Sequence, residues 1–400
     1  MKQRIYLDYA AATPLSETAF SAMQPYLTQQ FGNAHSPHGF GAEAFAALDT
    51  ARREIAELLG VSNNEIYFTS GGTEANNWAL AGAVYAAAKT KKSPHIMVGA
   101  TEHASVLSAA QQLSKLGACR VTVLGVDKNG FISSDALTSA LTPDTCLISI
   151  MLANNEIGTI QPIEKLARIA QKNNIPFHTD AVAAAGVTRF APKALGVSML
   201  SVSAHKFYGP KGAGFLYIDN QLSPSPEPLI TGGAQEHGKR GGTVNVPAVV
   251  GMAAAFKEAV SGMEEEAARL KALRDEFVRR VETEIPHVRY NGDRISRLPQ
   301  NVNFSFLGIK SAQLIQTLDL YGIACAGGAA CSAGDIKPSH VLTALDLPEE
   351  ITAGAVRFSL GKFTTQADIT YTVEQLKKAV SKLRGAHEAF KTTGSASYTV

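Results

Sequence analysis

The chain has few cysteines, little net charge and no long apolar run, and each shortage closes off a class of protein. Four cysteines, Cys119, Cys146, Cys325 and Cys331, are spread over 400 residues. None forms a CxxC pair, so no disulfide framework and no metal site are expected, and a reducing cytoplasm is the expected compartment. The formal charge of +2 gives no reason to expect nucleic acid or an anionic membrane as a partner. No apolar stretch reaches the roughly eighteen residues of a membrane span. The N-terminal MKQRIYLDYAAATP has charge but no apolar core, so it does not read as a secretory signal. Two nucleotide signatures are also missing. No GxxxxGK[ST] occurs, and no GxGxxG follows the first strand of a βαβ unit, which sets aside a nicotinamide oxidoreductase.

What is present is a chain with 45% hydrophobic and 18% charged residues, ordinary for a globular enzyme of two or three domains. From residue 65 to 218, short apolar runs alternate with helical patterns. The runs are EIYFTS (65–70), HIMVGA (95–100), RVTVLGV (120–126), TCLISIML (145–152), IPFHTDA (175–181), SMLSVSA (198–204) and GAGFLYI (212–218). Helices are expected over 73–89, 104–116, 133–141 and 162–173. This alternation predicts an α/β fold, a mostly parallel sheet covered on both faces, with ligands beyond the carboxyl ends of its strands. After the break SPSPEP (223–228), the pattern predicts one long helical stretch, roughly 247–284, whose charged face marks a surface or bridging helix. Residues 285–390 mix strands (NVNFSF, VRFSL) with helices and read as a smaller α+β domain.

SVSAHKFYGPKG (201–212) is the most informative segment. An apolar strand runs into Ser203, His205 and Lys206 and stops at Gly209-Pro210. One strand earlier, HTDA places Asp180 at a second carboxyl end. A carboxylate there can pair with a protonated pyridine nitrogen, and an amine there can form a Schiff base, which together are what pyridoxal phosphate requires. TSGGTEANN (69–77) is a strand-to-helix turn in which Gly71 and Gly72 allow the tight turn and Thr73 opens a helix; the backbone N–H groups there, Gly72 among them, suit a phosphate, and Thr73 with Glu74 would equally serve as a plain N-cap. TEHAS puts His103 past another strand end, where an imidazole can stack on the ring and pass protons. NNEIG offers Asn155 as a donor to the ring hydroxyl. No one of these motifs suffices; their gathering on one edge of one sheet is the evidence.

With these residues in place, the chain resembles the cysteine desulfurases, fold-type I pyridoxal-phosphate enzymes of the class V aminotransferase family. SGGTEANN, TEHASV, NNEIGTIQPI, HTDA, SAHKFYGPKGAG, GGAQEHGKRGGTVN, ACSAGDIKPSHVL and VRFSLGKFTT occur in the family's order and spacing. The long segment around Cys331, followed by PSHVL, is similar to the iron–sulfur-cluster type, group I. The resemblance implies a large domain with a mostly parallel seven-stranded sheet (14–260) and a smaller α+β domain (1–13 and 261–400). It implies Lys206 as the Schiff-base lysine, Asp180 as the pyridinium partner and His103 as the stacking residue. Gly72, Thr73, Ser203 and His205 would hold the phosphate, and Thr243 would reach the phosphate of a neighbouring subunit in a homodimer. Arg357 would grip the substrate carboxylate. Asn33 and Asn155 would assist at substrate and cofactor.

Cys331 would be the nucleophile. It would take sulfur from L-cysteine as a persulfide, leave L-alanine, and hand the sulfur to an iron–sulfur scaffold or another acceptor protein. Its setting in AGGAACSAGD permits that travel, because small residues leave the backbone free. Cys119 and Cys146, on apolar strands, read as structural, as does Cys325. Another class V aminotransferase or lyase, or a selenocysteine lyase, would use Lys206, Asp180 and Arg357 equally; the first two would leave Cys331 idle. A non-catalytic scaffold subunit would need none of them. Three positions depart from the family: Ala183 stands where a glutamine usually donates to the ring hydroxyl, His237 where arginine is common, and Asp346 where glycine is common. The missing donor predicts that the absorbance of cofactor-loaded protein titrates at a different pH in Ala183→Gln. Superimposable titration curves would contradict this.

Overall fold

The computed structural model describes residues 4–327 and 339–386. A two-residue strand, β1 (Ile5–Tyr6), precedes two helices, α1 (Glu17–Thr28) and α2 (Gly39–Leu59). Strand and helix then alternate: β2 (Ile66–Thr69), α3 (Gly72–Ala87), β3 (His95–Gly99), α4 (Ala104–Lys115), β4 (Arg120–Leu124), α5 (Ser134–Ser139), β5 (Thr145–Ser149), α6 (Ile163–Lys172), β6 (Phe177–Asp180), α7 (Pro192–Leu195), β7 (Met199–Ser203) and β8 (Gly214–Ile218). Helices α8 (Val246–Ser261) and α9 (Met263–Glu284) lead into β9 (Val288–Tyr290), β10 (Asn301–Phe306), α10 (Ser311–Leu320), β11 (Ile323–Ala324) and β12 (Ala326–Gly327). The last elements are α11 (His340–Ala344), α12 (Glu349–Thr352), β13 (Ala355–Ser359) and α13 (Gln366–Ala386).

The large sheet has seven strands in the order β2-β8-β7-β6-β5-β3-β4. Strands β3 to β7 run parallel to one another, and β8 is antiparallel to both β7 and β2. Side chains alternate between its two covered faces, as the pleat requires. On one face Ile96, Val98, Leu147 and Leu216 meet Trp78, Leu80 and Val84 of α3 and Val106 and Leu113 of α4. On the other, Met97, Ile148, Leu200 and Phe215 meet Ile55 of α2, Leu166 of α6 and Val249, Met252 and Phe256 of α8. Each such side chain removed from water stabilises the fold by about 1.5–3 kcal/mol. Only β4, at the edge, keeps exposed positions. The strand expected over 145–152 stops at Ser149, and Cys119 is buried just ahead of β4 rather than on it.

The single helix expected over 247–284 is two helices. They meet at Gly262 with a bend of 69°. Composition explains both parts. VPAVVGMAAAF is apolar on every side, so α8 is a core helix and not a surface one. EEEAARLKALRDEFVRRVE buries Leu270, Leu273, Arg274, Phe277, Val278 and Val281 along one side of α9 and leaves most of its other charges in water. No single helix among the described residues is long and apolar enough to cross a membrane.

A second core surrounds an antiparallel sheet ordered β12-β13-β10-β9. Phe277, Phe304, Phe358 and Leu376 pack there with Ile5 and Leu7 from the start of the chain. β1 pairs with β11, and the Ser359 N–H donates to the Leu7 carbonyl at 2.8 Å. The N-terminal arm is thereby pinned beside β13, and its next residues run past the end of β7.

Candidate active site

β6 and β7 are parallel neighbours, with Asp180 opposite Ser201. Asp180, the last residue of β6, is 4% exposed. Its Oδ1 accepts from the Val182 N–H at 2.8 Å and its Oδ2 from Asn76 Nδ2 at 2.7 Å. Burial pushes its carboxyl up, against the pull of these donors, His103 and Lys206. Past the end of β7 the chain makes one tight turn over Ala204–Lys206. That turn aims the Lys206 amine at the N-terminal arm, where it donates to the carbonyls of Ala10 and Ala11. Burial, then the charge of Arg357, lowers Lys206 to about 8, while Asp180 and Asp8 oppose the shift.

The start of α3 faces Ser203. Gly71 has φ +146°, a value that side chains rarely adopt, and a Cβ on Gly72 would come within 2.7 Å of Val182 Cγ2. Glycine at both positions therefore lets α3 begin against the turn after Asp180. The first N–H groups of a helix lack partners inside it, so Gly72 and Thr73 present donors here. Glu74 caps the turn by accepting from the Ser70 N–H at 2.8 Å and is held by Arg240 through Nε and Nη2. The helix thus opens at Gly72, with Thr73 inside it rather than capping it. Ser203 is 3% exposed. Burial first, then Lys206 and Lys211, pushes His205 down to about 4, so it offers a neutral imidazole.

His103 is the N-cap of α4; its Nδ1 accepts from the Ser105 N–H at 3.1 Å. Arg357, on β13, reaches over from the smaller sheet. Its Nη2 donates to Asp8 Oδ1 at 2.8 Å and its Nη1 to the Asn155 carbonyl at 3.2 Å, while its buried Nε has no partner among the described residues. Asn155 itself is half-buried. Neighbouring Asn154 builds the turn, accepting from the N–H groups of Glu156 and Ile157. Asn33 and Thr243 are exposed and make no hydrogen bond to these side chains. Cys331 lies outside the described residues. His237 adopts φ +57° beside Tyr67, away from the carboxyl ends of β6 and β7. Ala183 is half-buried and offers only a methyl group there.

Sequence reasoning missed Asp8, Asn76, Ser105, Glu156, Ser339 and His340. Ser339 caps α11, and its hydroxyl donates to Glu156 Oε2 at 2.5 Å. His340 Nε2 lies 2.8 Å from the Glu102 carbonyl. These contacts fasten the residues that follow the Cys331 segment to two turns: Ser339 to the one after β5, and His340 to the one after β3. Burial pushes Glu156 up to about 7, against Ser339 and Arg357. The folded chain therefore holds a proton that the unfolded chain loses at lower pH. The stability this group contributes is full below the ordinary carboxylate range and is lost as pH rises through about 7. Glu156→Gln is expected to match wild type in urea melts near pH 5 and to exceed it near pH 9 by about 1–3 kcal/mol. Equal pH profiles would contradict the assignment.

The residues fit pyridoxal phosphate. A glycine-lined helix start with Ser203 and neutral His205 gives donors for a phosphate, Asp180 gives a buried carboxylate for a pyridinium, Lys206 gives an amine of lowered pKa, and Arg357 keeps one buried N–H without an acceptor among the described residues. The family described as aminotransferase class V matches residues 5–372. A curated relative named cysteine desulfurase IscS, from Dictyoglomus turgidum, is 47% identical over 384 residues, 96% of each chain. One of the same name from Methanosarcina thermophila is 43% identical over 380 residues, 95% of this chain and 93% of its own. Among solved structures, a NifS-like protein superposes with a TM-score of 0.88 at 35% identity, covering 95% of this chain and 100% of its own. SspA in complex with cysteine gives 0.78 at 33%, covering 91% and 100%. Both sequence and fold thus place this chain in the class V aminotransferase family, with the cysteine desulfurases.

Proposed function

We propose that the chain converts L-cysteine to L-alanine and leaves the sulfur on Cys331 as a persulfide. The observation that carries this is Lys206 and Asp180 at adjacent parallel strand ends, facing Arg357, in a chain related along 96% of its length to a cysteine desulfurase. Gly72, Thr73, Ser203 and His205 would hold the cofactor's phosphate, Asp180 its ring nitrogen, and His103 its face. Bound there, pyridoxal phosphate supplies an electron sink for charge that develops at the substrate Cα.

The remaining steps belong to the chain's own groups. Arg357 orients the substrate carboxylate, with Asn33 and Asn155 assisting, and its hold on Asp8 fixes the guanidinium plane. Lys206, at about 8, is a base near neutrality and moves the Cα proton. The Cys331 thiolate attacks the substrate sulfur. An S–S bond forms as the Cβ–S bond breaks, and the electron pair left on carbon takes up a proton on the way to alanine.

The wider arrangement follows from the same reading. Residues 14–260 form a large domain, and 1–13 with 261–400 a small one; the separate cores and the bend at Gly262 support this division. The active unit is a homodimer in which Thr243 serves the partner's phosphate site. Phe20, Leu27, Phe31, Phe40 and Phe45 are exposed on α1, α2 and the link between them, an apolar surface suited to a second copy. An iron–sulfur scaffold or another acceptor protein collects the persulfide sulfur. The cytoplasm is the proposed compartment, consistent with the free thiols of Cys119, Cys146 and Cys325.

The test is to incubate cofactor-loaded protein with L-cysteine and a thiol reductant and to assay sulfide and alanine beside Cys331→Ala. Wild type is expected to release both in equal amounts and the variant neither. Keto-acid-dependent amino transfer undiminished in Cys331→Ala would overturn the reading.

A further inference from the structure

The polar groups behind His103 form a chain that the reaction above leaves unused. Asn76, on the face of α3 that packs on the sheet, is 1% exposed. Its Nδ2 donates to Asp180 Oδ2 at 2.7 Å and to Ser105 Oγ at 2.8 Å. Ser105 Oγ stands 2.8 Å from His103 Nδ1, and the Ser105 N–H donates to the same nitrogen at 3.1 Å. An amide nitrogen has two protons, and both are engaged. The Ser105 backbone N–H makes Nδ1 an acceptor, so the Ser105 hydroxyl, which accepts from Asn76, turns its own proton to Nδ1. With two donors facing it, Nδ1 carries no proton, and the imidazole proton sits on Nε2. Asn76 Oδ1 is left buried without a partner among the described residues. An apolar side chain there would avoid that orphaned oxygen, so packing alone does not account for an asparagine.

We propose that Asn76 and Ser105 are positioning residues: one hydrogen-bonded chain clamps the Asp180 carboxylate and holds His103 as its neutral Nε2–H tautomer. Its use in catalysis rests on the reading of Asp180 and His103 as cofactor partners; the chain itself belongs to the protein alone. Protonation of Nδ1 would turn a new N–H against the backbone N–H of Ser105, which cannot rotate away. The groups facing His103 are Asp180 from β6, Lys206 after β7 and His340 from α11. Burial, Lys206 and His340 lower His103, and Asp180 opposes them. Facing Asp180 are Lys206, His103 and the buried Glu102, whose carboxyl burial pushes up. The hydrogen-bond chain adds to the lowering, because it stabilises only the neutral imidazole.

Apoprotein with isotope-labelled histidine tests this, with His103→Gln assigning the resonance. Wild type is expected to show the Nε2–H tautomer and to titrate below the ordinary histidine range. Ser105→Ala and Asn76→Leu are expected to raise the midpoint by about half a pH unit or more. Ser105→Thr, which restores the hydroxyl, is expected to return it. Midpoint and tautomer unchanged in folded Ser105→Ala and Asn76→Leu would overturn the proposal. This readout needs neither cofactor nor substrate, so a failed desulfurase assay and a failed positioning chain are separate results.

Discussion

Arg357→Lys is expected to lower kcat/KM for L-cysteine by about 10²–10³-fold, with most of the loss in KM. The charge survives this substitution, so the effect isolates geometry. The guanidinium has five donors in one plane. Here Nη2 holds Asp8, Nη1 holds the Asn155 carbonyl, and the buried Nε has no partner among the described residues. A lysine ammonium at the same place is a single point charge. It would pair with Asp8 and leave the incoming carboxylate without its fork. Asp8→Asn reads the other half of the arrangement: the guanidinium keeps its donors and loses the anchor that fixes its plane, so a smaller rise in KM is expected. Steady-state kinetics on L-cysteine decide the matter. An unchanged KM in Arg357→Lys would remove Arg357 from the carboxylate site.

Much of this geometry could be read from the sequence, and the portion that could not has a common cause. HTDA and SVSAHK sit on strands buried on both faces, so their apolar runs marked the strand ends, and Asp180 and Lys206 followed. The two glycines of SGGTEANN announced a turn that a side chain could not make. What escaped notice depends on contacts between residues far apart in the chain. Asp8 and Arg357 are separated by 349 positions, Glu156 and Ser339 by 183, and Asn76 and Asp180 by 104. Periodicity reports which face of an element is buried, not which distant polar group it meets. Asp8 stands in an N-terminal stretch weighed in the sequence only as a secretory signal, so it carried no assigned role. The 247–284 stretch failed for a local reason. Helical periodicity continues across Gly262, and only the change from an all-apolar to a striped pattern betrays two helices.

Lys206→Ala is expected to lower turnover of L-cysteine by about 10⁴-fold or more. The amine's hydrogen bonds are to the Ala10 and Ala11 carbonyls, so the substitution removes no packing group and the protein should fold. What vanishes is a base whose setting tunes it. At about 8, roughly one amine in ten is free at pH 7, against fewer than one in a thousand for an ordinary lysine. The direction of each influence gives a second readout, taken on apoprotein by the pH dependence of Lys206 modification with a small amine-specific reagent. Arg357 lowers Lys206, so Arg357→Gln should move the midpoint to higher pH. Asp180 and Asp8 raise it, so Asp180→Asn and Asp8→Asn should move it lower. Three variants shifting in these directions would establish that the two strand ends and the smaller sheet act on one amine. A midpoint indifferent to Arg357 would mean that burial alone tunes Lys206, and that the approach of β13 to the strand ends serves substrate binding only.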